Sequence, residues 1–116
     1  MQRMMLKSKI HRATVTQANL YYEGSITVYS KLIRAADILE HEKVEVLNLN
    51  NGRRIETYCI KGKPDSGVVC LNGPAARGAC LGDQVIIVSY VLVEDKQAKS
   101  IKPKIIKVNA RNQIKD

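Results

Sequence analysis

The sequence predicts a small, mainly β protein: six or seven short strands with one or two short helices, joined in one closed or nearly closed β structure. Three observations lead there. Apolar residues make up 45% of the 116, with five Tyr and no Phe or Trp; most of them are Val, Ile and Leu, and β-branched side chains suit a pleated sheet. Several stretches alternate apolar and polar residues with period two. Turn signals at Asn51-Gly52, Asn72-Gly73 and Gly82-Asp83 separate those stretches at short intervals. A chain of this length holds one core, so residues 1–116 are expected to form a single domain.

The elements follow in order. Residues 4–15 read as extended, with Leu6, Ile10 and Val15 interleaved among Lys7, Lys9 and His11. Residues 16–19 read as a turn. Residues 25–30 alternate, Ile26 and Val28 on one face and Thr27 and Tyr29 on the other. A helix is predicted next, with Ser30 as N-cap and Leu32, Ile33, Ala36 and Leu39 on one face up to His41. Residues 44–49 and 54–60 form a hairpin around Asn50-Asn51-Gly52, where Gly52 takes positive φ. A loop over 62–67 precedes a short strand at 68–71, and Asn72-Gly73 breaks the chain before a helical turn at 74–80. Residues 84–93 are expected to be a strand buried on both faces. A polar connection over 94–100 leads to a last alternating strand at 104–108.

Composition also narrows function. The net charge is +8, but the basic residues are scattered except for Lys96, Lys99, Lys102, Lys104 and Lys107. These alternate with Ile and Val, as on a solvated strand face. No zinc-finger, RNP-like or helix-turn-helix pattern accompanies them, so a basic DNA-binding barrel is the weaker reading and no nucleic-acid partner is expected. The longest apolar run, near residues 85–93, falls short of the ~18 residues of a membrane span. The first seven residues lack the apolar stretch of a signal peptide, which points to the cytoplasm. Cys59, Cys70 and Cys80 form no C-x-x-C pair and sit in apolar context, as buried reduced thiols do. His11 and His41 are too few and too distant for a metal site.

Four motifs go further: Lys9-Ile10-His11-Arg12-Ala13-Thr14-Val15-Thr16, Tyr22-Glu23-Gly24-Ser25, Asn51-Gly52-Arg53-Arg54-Ile55-Glu56-Thr57-Tyr58 and Asn72-Gly73-Pro74-Ala75-Ala76-Arg77. In this order and spacing they resemble the aspartate 1-decarboxylases that make their own pyruvoyl cofactor. The resemblance spans nearly the whole chain. It implies a double-psi β-barrel, a homotetramer with sites between subunits, and L-aspartate as substrate. The product is β-alanine, a precursor for pantothenate. It also implies an inactive precursor that cleaves itself into residues 1–24 and 25–116, the larger chain starting with a pyruvoyl group made from Ser25. That group holds the substrate as a Schiff base and serves as electron sink, so neither metal nor pyridoxal phosphate is needed.

The residue chemistry suits these roles. Ser25 can attack the Gly24 carbonyl, and glycine leaves room for that approach. Arg54 can grip a carboxylate through two parallel hydrogen bonds and Lys9 supplies a second cation; which takes which carboxylate is open. The resemblance makes Tyr58 the proton donor to the carbanion left by CO2, a task within reach of a phenol. Thr57 corresponds to a substrate-contacting position and helps processing by polarising the Gly24 carbonyl. Asn72 can donate to a developing enolate oxygen. Tyr22 and His11 lie in matching segments with processing roles. The backbone at Gly73, Pro74 and Ala75 enters a helical turn whose free N–H groups suit an anion. Pro74 departs from the family's common alanine and removes one such donor. A maturation partner that assists cleavage is compatible with the same chemistry, as is a pyruvoyl enzyme for another amino acid, although Arg54 with Lys9 favours an acidic one.

Overall fold

The computed structural model describes residues 1–21 and 24–115. Eight strands form one sheet: β1 (Gln2–Thr14), β2 (Gln17–Asn19), β3 (Ser25–Tyr29), β4 (Lys43–Asn48), β5 (Arg54–Gly62), β6 (Val69–Asn72), β7 (Gln84–Glu94) and β8 (Lys104–Lys107). Their order is β2-β6-β3-β5-β4-β7-β1-β8. The pairs β1/β8, β2/β6 and β3/β5 run parallel and the rest antiparallel. The chain itself draws the two ends of this order together, because β1 passes through Val15 and Thr16 directly into β2. Backbone bonds seal the junction: Val15 N–H to the Asp83 carbonyl at 2.8 Å, Gly82 N–H to the Val15 carbonyl at 2.9 Å, Thr16 N–H to the Val69 carbonyl at 2.8 Å. The result is the small double-psi β-barrel, filled by Ile10, Ile26, Val28, Leu32, Val44, Val46, Val69, Leu71, Val85 and Ile87. No described helix is long and apolar enough to cross a membrane.

The structure refines several expectations. Among the described residues the strands number eight rather than six or seven, because residues 17–19 pair with β6 instead of turning. The Thr16 hydroxyl fixes that pairing by donating to the Val69 carbonyl and accepting from the Val69 N–H, a contact across the fold that local propensity does not see. The helix α1 (Ser30–Ala35) stops well before His41. Ser30 is its first residue, and no side-chain cap is made. Asp37 at φ 58° and His41 at φ 75° break the helical period, which leaves Leu39 71% exposed. β7 is buried only in its first half: residues 85–88 are flanked by β4 and β1, whereas residues 90–94 pair with β1 alone and expose Tyr90 and Leu92. The polar connection contains a one-turn helix, α2 (Asp95–Ala98), anchored by buried Ala98. Cys59 and Cys70 are buried and free as expected, but Cys80 is exposed. Gly52 has φ 74° at the β4–β5 turn, as its position there requires.

Candidate active site

The antiparallel pairing of β3 with β6 builds a compact polar patch. Ser25 lies opposite Asn72, and Thr27 opposite Cys70. Because side chains alternate along a strand, these four share one face, while Ile26, Val28, Val69 and Leu71 point into the core from the other. Ser25 is fully buried. The Asn72 amide donates from Nδ2 to Ser25 Oγ at 2.8 Å and to Thr27 Oγ1 at 3.0 Å. On its other side, Cys70 Sγ stands 3.2 Å from Asn72 Oδ1.

Asn72 ends β6, and the next residue opens a 3₁₀ turn, Gly73–Gly78. Gly73 turns the corner at φ 60°, which a side chain would strain. Pro74 follows with its fixed φ and no N–H to satisfy. This turn forms one wall of a cleft of about 440 Å³ lined by Gly24, Ile55, Glu56, Thr57, Tyr58, Pro74 and Ala75. Gly24 rests on the wall so closely that a Cβ there would lie 3.2 Å from Pro74 Cδ. Thus Gly24, Thr57, Tyr58, Pro74 and Ala75 meet at one cleft, with Ser25 next to Gly24 in the chain and Asn72 and Gly73 buried behind Pro74 in sequence.

Three expected site residues stand apart from it. Arg54, at the exposed start of β5, pairs through Nη2 with Glu45 Oε1 at 2.8 Å. Lys9 and His11 sit on β1 opposite Ile105 and Lys107 of β8. His11 Nδ1 is buried and has no hydrogen-bond partner among the described residues. Burial, then the nearby charges of Lys9, Arg12, Lys107 and Lys115, hold the imidazole pKa below its usual 6.5, so it stays neutral at physiological pH. Tyr22 lies outside the described residues.

Sequence reasoning overlooked Thr27 and Cys70 as partners of Asn72, and Ile55 and Glu56 as cleft walls. The signal for the first two was present: each lies two positions from Ser25 or Asn72, hence on the same strand face. The pairing of the two strands was what could not be read.

Set against known proteins, the sequence that builds this patch and cleft falls among the decarboxylases. The sequence model of the family described as aspartate decarboxylase matches residues 1–115. The chain is 58% identical over 115 residues to the aspartate 1-decarboxylase of Syntrophus aciditrophicus, covering 99% of both chains. It is 56% identical to the aspartate 1-decarboxylase of Thermoanaerobacter pseudethanolicus, covering 97% of this chain and 96% of that one. For the enzyme of that name from Listeria monocytogenes the identity is 55%, with 98% and 90% covered. The chain belongs to the aspartate decarboxylase family.

Proposed function

We propose that this chain is the precursor of a pyruvoyl-dependent aspartate 1-decarboxylase, which cuts itself between Gly24 and Ser25 and then converts L-aspartate into β-alanine and CO2. The observation that carries the reading is Ser25 itself: fully buried, its Oγ held at 2.8 Å by Asn72, beside a cleft that Gly24, Thr57 and Tyr58 line. In processing, Ser25 Oγ attacks the Gly24 carbonyl carbon and the peptide C–N bond breaks, giving an ester and a free amine at residue 25. Loss of the Cα proton of residue 25 then expels Oγ as part of the Gly24 carboxylate and leaves dehydroalanine. Water releases ammonia from it, and the chain of residues 25–116 begins with a pyruvoyl group. Thr57 shares the cleft with Gly24, which suits polarisation of that carbonyl; Tyr22 and His11 assist processing.

The residues fit the group they would surround, since the Asn72 donor already faces position 25 and Gly24, its neighbour in the chain, lines the cleft. The pyruvoyl ketone supplies an electrophile that binds the substrate amine and accepts the electrons released with CO2. Around it, Asn72 offers an N–H where negative charge develops, and Tyr58 returns the proton from the cleft wall. Gly73, Pro74 and Ala75 bound the substrate on the other side. Lys9 and Arg54 supply the cations for its two carboxylates.

Those cations lie outside the cleft of their own chain, which supports a homotetramer whose sites are shared between subunits. Exposed apolar side chains on the β1 and β7 surface, the cross-strand pair Met4 and Leu92 with Tyr90 beside Met4, suit burial in such an assembly. Arg54 would then exchange Glu45 for a substrate carboxylate. The enzyme works in the cytoplasm, where its β-alanine supplies pantothenate synthesis, and a maturation factor can set the rate of cleavage.

Intact-mass spectrometry of the purified, incubated protein tests the reading. Two fragments splitting at Gly24-Ser25, the larger carrying a pyruvoyl terminus and turning aspartate into β-alanine, are expected. Ser25→Ala should give one intact, inactive chain. An active uncleaved wild type would overturn the proposal.

A further inference from the structure

We propose that Cys70 is a positioning residue for self-cleavage: its thiol donates to Asn72 Oδ1 and so turns the amide to present N–H, rather than oxygen, to Ser25 Oγ. The inference rests on the cleavage chemistry proposed above. An amide side chain has a donor end and an acceptor end of nearly equal shape, and its neighbours decide which way it faces. Ser25 and Thr27 are hydroxyls, which accept or donate and so express no preference. A thiol is a donor with a poor acceptor, and Cys70 Sγ lies 3.2 Å from Oδ1, against 3.8 Å from its other acceptor, the Leu71 carbonyl. Burial raises the Cys70 pKa, outweighing the opposing hydrogen bond from the Asn19 backbone, so the thiol keeps its proton at neutral pH. The cross-strand register fixes the whole square, with Thr27 receiving the second Asn72 N–H and Cys70 sitting directly opposite Thr27.

The orientation matters at one step in particular. When the ester undergoes elimination, the Cβ–Oγ bond breaks and Oγ leaves as a carboxylate oxygen of Gly24, taking the electron pair. A fixed N–H at 2.8 Å stabilises that charge without reorganisation. A turned amide would present Oδ1 instead and oppose it. Cys70 therefore acts on elimination, the step after the acyl shift, and without it the ester should accumulate.

Hydroxylamine distinguishes the two steps, because at neutral pH it cleaves an ester but spares a peptide bond. The products are a Gly24 hydroxamate and a chain beginning with an unmodified Ser25, each with its own mass. In Cys70→Ala, spontaneous cleavage is expected to slow roughly five- to tenfold, with a hydroxylamine-cleavable fraction larger than in the wild type. Cys70→Ser keeps a donor but adds an acceptor, so it should recover both readings only in part, to between those of Ala and wild type. Cys70→Val occupies the site without a donor and carries the same expectation as Ala if the Ala variant is unstable, as thermal melting would reveal. Wild-type cleavage rates in Ala and Val, or equal slowing in Ala, Val and Ser with no trapped ester, would overturn the role of Cys70 alone. A wild type that never cleaves would instead overturn the functional reading, and this inference with it.

Discussion

Two buried asparagines hold opposite ends of β3, and they are bonded in different ways. Asn112, near the C-terminal end of the described chain, is satisfied by backbone. Its Oδ1 accepts from Thr14 N–H at 2.7 Å, and its Nδ2 donates to the carbonyls of Thr14 at 2.8 Å and Gly67 at 2.9 Å. Its own carbonyl accepts from the Tyr29 hydroxyl at the end of β3. Asn72, at the start of β3, is bonded instead to two hydroxyls and a thiol. Backbone partners have fixed polarity and cannot leave, so Asn112 is a rivet. Side-chain hydroxyls have mobile protons, so Asn72 sits where bonds can be made and broken. The partners of a buried amide, rather than its burial, separate structure from chemistry.

The sharpest way to break this comparison is to remove each amide in turn. Asn72→Ala deletes a donor aimed at developing charge and should slow cleavage about 10²- to 10³-fold, with a melting temperature near that of wild type. Asn112→Ala should do the reverse. It leaves two backbone carbonyls and an N–H of the barrel closure unpaired, for a loss of about 2–4 kcal/mol in denaturant unfolding, while the molecules that fold still cleave. If both variants lose stability and keep cleavage, the distinction fails. Tyr58→Phe refines the chemical side. Tyr58 shares the cleft with Gly24, yet its proposed task begins only after CO2 leaves. Mass spectrometry should show normal cleavage while kcat falls about 10²-fold. Unchanged turnover would remove Tyr58 from the mechanism.

The two regions were not equally legible in the sequence. Ser25, Asn72, Thr57 and Tyr58 stand in motifs. Alternation gives the strand that carries Ser25, and the hairpin around Gly52 gives the one that carries Thr57 and Tyr58. Asn72, read as a break after residues 68–71, is instead the last residue of β6. Gly52 and Gly73 announced their turns through the conformations only glycine adopts freely. What stayed hidden depends on pairing between distant segments. Residues 16–19 form a strand only because β6 lies alongside, and Thr27 and Cys70 join the site only because β3 and β6 meet in one register. Asn112 gave no local sign at all, since its partners lie 98 and 45 positions away. Lys9, His11 and Arg54 were named from motifs, but one chain does not bring them to the cleft.

A third device holds the barrel by charge rather than by neutral amides, and it responds to acid. Glu42 Oε2 accepts from the Lys7 ammonium at 2.8 Å and from the Ser89 hydroxyl, and Oε1 accepts from Leu39 N–H at 3.0 Å. Lys7 also reaches the Asp37 carbonyl at 2.5 Å, so the clip ties β1 and β7 to the segment after α1. Burial by itself would raise the Glu42 pKa, but the hydrogen bonds from Lys7, Ser89 and the Leu39 backbone outweigh it and hold the carboxyl below its usual 4.5. A carboxyl depressed in the folded state binds protons more readily in the unfolded one. Its stabilisation is therefore complete above about pH 4.5 and is lost as pH falls through the lower folded value. His11, also held low, has the same sign but loses its contribution nearer neutrality, as pH falls below 6.5. Glu42→Gln should cost about 1 kcal/mol at neutral pH and flatten the acid limb below pH 4.5, leaving the His11 step in place. Asn112→Ala should lower the whole profile without changing its shape, because an amide does not titrate. Unfolding followed between about pH 3 and 7 reads both; an unchanged acid limb in Glu42→Gln would move the acid sensitivity to another carboxyl and leave the clip as packing alone.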